Sequence, residues 1–436
     1  MTPSARLSAA IEVFADIETR RRPAANALKD WGLSHRFAGS GDRAAIAGLV
    51  YDALRRKSSS AWLMGEASPR AALLGMLHRE RRLDADAIAA LCNGTRYAPA
   101  PLAADEARAL TTGSLAGAPA YVEGDYPEWL DSHLQRVFAG ERGSEGDALA
   151  SRAPLDLRVN TLVAERDEAL AKLQHLNAAP TRWSPIGIRI RLAAEAKSPA
   201  IHAEPVFLKG QIEIQDEGSQ LAALLADAQP GEQVVDLCAG AGGKTLALAA
   251  AMDNRGQIYA TDLDKRRLAP INARLSRAGV RNVQVRTPTS RGSSDVLADL
   301  AGRADLVMID APCTGTGAWR RNPDAKWRIR PGALAERVKE QKAVLEQAAN
   351  IAKPGGRIAY VTCSVLTEEN NDQVAAFLTR HPDFSVERPV EVMKGLGERA
   401  YLFARAALIS AEGLLMTPRR TDTDGFFVSV VRRQAS

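Results

Sequence analysis

The chain has 436 residues, enough for about three domains at roughly 150 residues each, which excludes a single small module. Lys and Arg number 57 against 52 Asp and Glu, a net charge of +5 that permits a polyanionic partner without requiring one. Hydrophobic residues at 46% and charged residues at 25% are globular proportions, which excludes a chain dominated by disorder or by a fibrous repeat.

Spacings of three and four between Leu7, Ile11, Phe14 and Ile17 predict a helix from Ala5. Ile46, Leu49, Val50 and Leu54 predict another, with cap chemistry at Ser40-Gly41-Asp42. Short periodic stretches at 73–77 and 88–91 extend the pattern, so residues 1–135 are expected to form an all-helical domain with a Gly- and Pro-rich loop at 111–120. After Gly143, Leu155, Leu157 and Val159 alternate, a helical run covers 165–176, and Ile188, Ile190 and Leu192 alternate again. This is the pattern of a small α+β module over 145–215. Over 216–436, short apolar strands at 234–237, 258–261, 283–286, 306–309 and 358–362 are separated by helical patterns. Such alternation predicts an α/β fold, a doubly wound and mostly parallel Rossmann-like sheet, with 426–431 closing its edge antiparallel.

Glu12 and Asp16 interrupt the apolar pattern near the N-terminus, unlike a secretory leader, and no apolar run reaches about 18 residues. Cys92, Cys238, Cys313 and Cys363 contain no C-x-x-C pair, and the six histidines have no metal-ligand spacing. The expectation is a cytoplasmic monomer with free thiols, no metal and no membrane partner.

The strand at 234–237 runs into Cys238-Ala239-Gly240-Ala241-Gly242-Gly243-Lys244 and then a helix over 245–252. Glycines there let the backbone turn tightly and approach a ligand at the helix start, and Asp262, 22 residues after Gly240, ends the next strand where an acid can accept both hydroxyls of a ribose. Together they imply a nucleoside-containing cofactor. Gly243-Lys244-Thr245 with Asp310 mimics a phosphate-binding loop and its magnesium-holding acid, but that motif needs a glycine where Cys238 stands. The spacing also departs from G-x-G-x-x-G, and a tight turn without a ligand is a further reading of these glycines.

Cys313, in Asp310-Ala311-Pro312-Cys313, and Cys363, in Thr362-Cys363-Ser364, each follow an apolar strand directly. Ligands of open α/β sheets bind at the carboxyl ends of strands, so both thiols are expected in the same crevice as the glycine loop, whereas Cys92 reads as a small core residue. Thr367 reads as a helix N-cap, with Glu368 and Glu369 in the first turn of a helix to Arg380. That helix start would acidify the Cys363 thiol, and the two acids oppose it. A nucleoside cofactor beside an activated thiol suits methylation of cytosine at carbon 5, because that carbon is a poor nucleophile until a thiolate adds to carbon 6.

These motifs, in this order and spacing and followed by Glu368-Glu369-Asn370, resemble the Sun-type RNA cytosine-5 methyltransferases, in particular the branch acting on small-subunit ribosomal RNA. The resemblance implies that Cys238, Ala239, Gly240, Ala241, Gly242, Gly243, Lys244 and Asp262 bind S-adenosylmethionine, with Asp310 at the cofactor and base pocket. It further implies Cys363 as nucleophile, Cys313 in product release, and RNA, 16S ribosomal RNA, as partner. The stretch from Gly41 to Arg56 resembles a NusB-like RNA-binding domain, and 155–160 an RNA-recognition-like module. Two departures stand out: relatives often carry a proline in the glycine loop, and they place an acid where this chain has Arg286-Thr287-Pro288-Thr289-Ser290.

Residues 319–330 hold Arg320, Arg321, Lys326, Arg328 and Arg330 with Trp319 and Trp327, a pattern that suits phosphate neutralisation and base stacking; a solvated loop anchored by its tryptophans is the alternative. A cytosine must leave its stack to reach a thiol, so single-stranded or flipped RNA is the expected substrate. A catalytically silent RNA-binding ribosome-assembly factor and a P-loop-like nucleotide hydrolase are the rival functions.

Overall fold

The computed structural model describes residues 1–192, 198–288 and 295–435, and these form two compact units. The first comprises Met1–Ala153 together with Ala318–Arg330. Its first helix, Pro3–Arg20, starts with the Thr2 side chain accepting from the Ala5 N–H and buries Leu7, Ala10, Phe14 and Ile17 along one face. That face meets Ile46, Val50 and Leu54 of the helix Ser40–Arg55 and the apolar helix Pro69–Arg79 in one core, which also takes Cys92. Ser40 is the first residue of its helix rather than the cap, which is Gly39. Asp42 instead binds the N-terminal ammonium and Arg6.

The basic stretch expected to meet RNA is largely part of this helical unit's interior. Trp319, Arg320 and Lys326 are buried. Lys326 Nζ donates to the Arg55 carbonyl at 2.9 Å, Trp327 Nε1 to the Leu54 carbonyl at 2.7 Å, and the Ala24 N–H to Asp324 at 3.2 Å. These bonds satisfy a helix end from within the unit, and only Arg328 and Arg330 of the basic set are well exposed.

The second unit comprises 154–192, 198–317 and 331–436. Its small module is an antiparallel sheet in the order β2-β3-β1-β4, from β1 (Leu155–Val159), β2 (Ala179–Pro180), β3 (Gly187–Ile190) and β4 (Ile212–Ile214). One face packs Leu157, Val159, Ile188 and Ile212 into a core of its own. On the other face Arg189 pairs with Asp156 at 2.7 and 2.8 Å and with Asp422 at 2.7 Å, while buried Glu217 takes the N–H groups of Trp183 and Ser184. Removing one partner of such a buried pair costs about 3–5 kcal/mol, so ions as well as apolar contacts fix this module.

The large sheet runs β7-β6-β5-β8-β9-β13-β12-β11. Its parallel part is β5 (Gln233–Asp236), β6 (Gln257–Ala260), β7 (Val283–Val285), β8 (Ala304–Asp310) and β9 (Ala352–Thr362). The strand predicted at the edge, β13 (Phe426–Arg433), does lie antiparallel to β9 but is interior. Its other side is shared by β10 (Phe384–Val386) and the hairpin of β11 (Leu408–Ile409) and β12 (Leu414–Met416). Strand order reverses between β5 and β8, the topological switch point at which ligands of open α/β sheets bind.

Burial of Lys326 holds its ammonium down to about 7, against an ordinary 10.5, with Asp125 opposing and Arg55, Arg56 and Arg79 assisting. Between those values the unfolded chain binds the proton that the folded chain lacks, so stability rises with pH in that window. The urea midpoint should therefore increase from about pH 7 to about pH 9, and Lys326→Met should flatten the increase. An unchanged slope in that variant would assign the pH dependence to other groups.

Candidate active site

The glycine loop joins the end of β5 to the helix Gly243–Ala251. Gly240 and Gly242 have φ of +51° and +85°, and a Cβ on Gly242 would meet Ile271 Cγ1 at 2.6 Å, so glycine is required there for both conformation and space. The Gly240 N–H donates to Asp262 Oδ2 at 3.0 Å and the Asp264 N–H to Oδ1 at 2.9 Å, with the exposed Arg267 at 3.4 Å. Two of the four acceptor positions of that carboxylate are thus taken by backbone, and Arg267 is an ion partner at Oδ2. Thr245 Oγ1 donates to Asp236 Oδ2 at 2.7 Å, while Asp236 Oδ1 is buried without a partner among the described residues. Burial pushes this carboxyl up to about 7. Burial likewise pushes the Cys238 thiol well above its ordinary value.

Lys244 Nζ pairs with Asp310 Oδ2 at 2.7 Å and lies 5.1 Å from the centre of the Phe426 ring. The loop and the end of β8 are therefore joined by an ion pair that sequence spacing alone did not reveal. In the stretch that mimics a phosphate-binding loop, the lysine is given to Asp310 and the threonine hydroxyl to Asp236.

The two thiols meet. Cys313 follows β8, Cys363 follows the neighbouring β9, and their sulfurs are 3.4 Å apart. Both side chains are half-buried. The contact with Cys363, with burial behind it, raises the Cys313 thiol well above its usual range, and either sulfur can donate to the other.

Glu369 builds the frame around them. Residues Thr367–Glu369 are a single tight turn, Asn370 is non-helical at φ −114° and ψ −96°, and the helix begins only at Asn371. Thr367 is thus not a helix cap, and Glu369 is a buried acid rather than a first-turn surface charge. Its carboxylate takes the Thr314 N–H at 2.8 Å, the Thr314 hydroxyl, and Gln341 Nε2 at 3.1 Å, which also reaches the Pro312 carbonyl at 2.9 Å. Both residues flanking Cys313 are therefore anchored. Asn370 does the same for the other loop, joining Thr362 Oγ1 at 2.6 Å to the Ser364 carbonyl at 2.9 Å. The run Glu368-Glu369-Asn370 was the sequence signal for this frame, but its role depends on the non-helical backbone conformation at Asn370. Burial raises the Glu369 carboxyl above the ordinary range.

At the far side of the loop, Arg286 after β7 is held bidentate by Asp299, at 2.5 and 2.9 Å, and covers the Tyr259 ring at 4.4 Å. Thr289 and Ser290, the end of the stretch 286–290 in which the resemblance leads one to expect an acid, lie outside the described residues.

A family model described as 16S rRNA methyltransferase RsmB/F matches residues 223–432, and one for the ferredoxin-like domain of RsmF/B-like methyltransferases matches 126–196. Residues 126–196 and 223–432 belong to the RsmB/F family by these matches. Ribosomal RNA small subunit methyltransferase B of Sodalis glossinidius is 35% identical over 309 residues, 69% of this chain and 64% of that protein. The chain spans about three fifths of the length of the curated relatives it matches. Among solved structures, PH0851 matches over 99% of both chains at a TM-score of 0.70 and 23% identity. A methyltransferase homolog from Pyrococcus horikoshii covers 73% of this chain, with 99% of its own length, at a TM-score of 0.57 and 26% identity. The RsmB/F match contains every residue of the loop and both paired thiols.

The sulfur separation predicts that diamide, a thiol oxidant, will join Cys313 to Cys363 within one chain, with loss of two hydrogen atoms in the linked peptide. The same treatment of Cys313→Ser should give no internal link. Recovery of both cysteines as separately alkylated thiols would contradict the geometry.

Proposed function

We propose that this protein transfers a methyl group from S-adenosylmethionine to carbon 5 of a cytosine in RNA, with 16S ribosomal RNA as substrate and Cys363 as nucleophile. The observation that carries the reading is the pair of sulfurs 3.4 Å apart beside the strand that bears Asp310, the ion partner of the glycine loop.

The residues present fit the donor. Asp262 keeps acceptor capacity for ribose hydroxyls, Asp236 Oδ1 is a buried oxygen awaiting a polar partner at the foot of the loop, and the glycines leave room for close approach. Cys238, Ala239, Ala241 and Gly243 line the same turn and offer backbone alone, while the Lys244–Asp310 pair ties the loop to the end of β8, the strand that leads to Cys313. S-adenosylmethionine supplies a methyl group on a positively charged sulfur, open to attack by an electron-rich carbon.

Cys363 provides that carbon by adding its thiolate to carbon 6 of the cytosine, which turns carbon 5 into the nucleophilic end of an enamine. After methyl transfer, Cys313, its own proton passed to water, takes the proton from carbon 5, and Cys363 is expelled as the aromatic ring reforms. Glu369 and Asn370 keep both thiol loops in register through these steps. The helical unit is read as the NusB-like arm that binds the same RNA.

Incubation of 16S RNA with tritiated S-adenosylmethionine tests this. Cys363→Ala should lose incorporation by at least about a hundredfold, and Cys313→Ala should accumulate a denaturant-stable protein–RNA adduct. Full turnover by Cys363→Ala would refute its role as nucleophile. Absence of S-adenosylmethionine binding by the wild type would favour the silent assembly factor.

A further inference from the structure

Arg158, the next-to-last residue of β1, is a buried guanidinium with no carboxylate bonded to it among the described residues. Its Nη1 donates to Gln215 Oε1 at 2.7 Å and to the Gly243 carbonyl at 2.8 Å, and its Nε has no partner among the described residues. Stability does not explain the placement. A buried cation is costly, and one set at the N-terminus of the helix Gly243–Ala251 opposes the helix dipole. The same loop is held a second time, since Arg274 Nη1 donates to the Ala241 carbonyl at 2.8 Å while its Nη2 pairs with Glu213 at 2.9 Å.

Both anchors, Glu213 and Gln215, belong to or directly follow β4, and Glu213 stands opposite Arg158 in the antiparallel register. The carbonyl oxygen of one residue and the N–H of the next share one rigid plane. Capturing the Ala241 and Gly243 oxygens therefore fixes the direction of the Gly242 and Lys244 N–H groups. The first of these closes the turn onto the Ala239 carbonyl at 2.8 Å. A loop of glycines, left alone, samples many such orientations and loses that freedom when a ligand binds.

We infer that Arg158 and Arg274 are positioning residues for the cofactor, clamping the glycine loop against the small module so that its N–H groups are set before S-adenosylmethionine arrives. The clamp rests on the donor-binding reading of the loop. It gives the small module a part in donor affinity and makes the Arg158 position of β1 more than a sheet residue.

Calorimetric binding of S-adenosylmethionine to the full chain, with steady-state kinetics on RNA, tests the clamp. Arg158→Met and Arg274→Met should each raise Kd and KM for the donor by about tenfold, with kcat at saturating donor within about twofold of wild type. Arg277→Met is the control, because Arg277 pairs with the same Glu213 yet makes no bond to the loop; its donor affinity should stay at the wild-type value. Should Arg158→Met fail to fold, the half-buried Arg274 decides the matter alone. Wild-type affinity in a folded Arg274→Met, or an equal loss in Arg277→Met, overturns the clamp. A wild-type protein that binds no S-adenosylmethionine overturns the donor reading itself, and the clamp with it.

Discussion

The site depends on the level alignment of three adjacent parallel strands. Asp236 at the end of β5 is paired with Met308, and Asp310 at the end of β8 with Val361, so the loops after β5, β8 and β9 leave the sheet side by side. Neighbouring strands are about 4.8 Å apart, which sets the distance from the glycine loop to the second thiol at about two strand spacings. The apolar faces of β5, β8 and β9 hold that alignment in one buried core shared with β13. Register in such a sheet cannot slip by one residue without turning this core outward, so the chemistry inherits its geometry from the packing.

On this platform, buried polar groups hold the two sulfurs in place. Glu369 grips the Cys313 loop at Thr314, and through Gln341 at Pro312, while Asn370 grips the loop after β9 at Thr362 and Ser364. The two thiols are chemically alike as residues and differ only in surroundings. Contact with Cys363 and burial raise the Cys313 thiol above its ordinary range. A carboxylate buried beside both loops is costly unless its oxygens are satisfied, and Glu369 meets that condition with bonds from backbone, hydroxyl and amide.

Much of this was legible in the sequence, where period and punctuation are strong. The helical N-terminal unit, the alternating strands of the module and the glycine loop between β5 and its helix are local patterns, and each is present in the structure. Long-range pairing was not legible. Residues 426–431 read as an edge strand because nothing in that stretch announces its pairing with Leu414–Met416 and Phe384–Val386. Residues 319–330 read as an RNA-facing loop because charge patterning implies exposure, yet Lys326 and Trp327 bond to main-chain carbonyls of Arg55 and Leu54, more than 250 residues earlier. Glu369 reads as a helix-start acid because the departure from helix at Asn370 is a matter of backbone conformation, not of composition. The Lys244–Asp310 pair and the grip of Arg158 and Arg274 on the loop likewise join residues far apart in the chain.

The central claim is that one named sulfur bonds to carbon 6 of the target base. RNA carrying 5-fluorocytidine blocks loss of the substituent at carbon 5 and so arrests the reaction with the base still attached. Peptide mapping of the arrested complex by mass spectrometry should place the nucleotide on the peptide that contains Cys363 and leave Cys313 as a free thiol. A nucleotide found on Cys313, or no covalent complex in the presence of donor and RNA, would contradict the account.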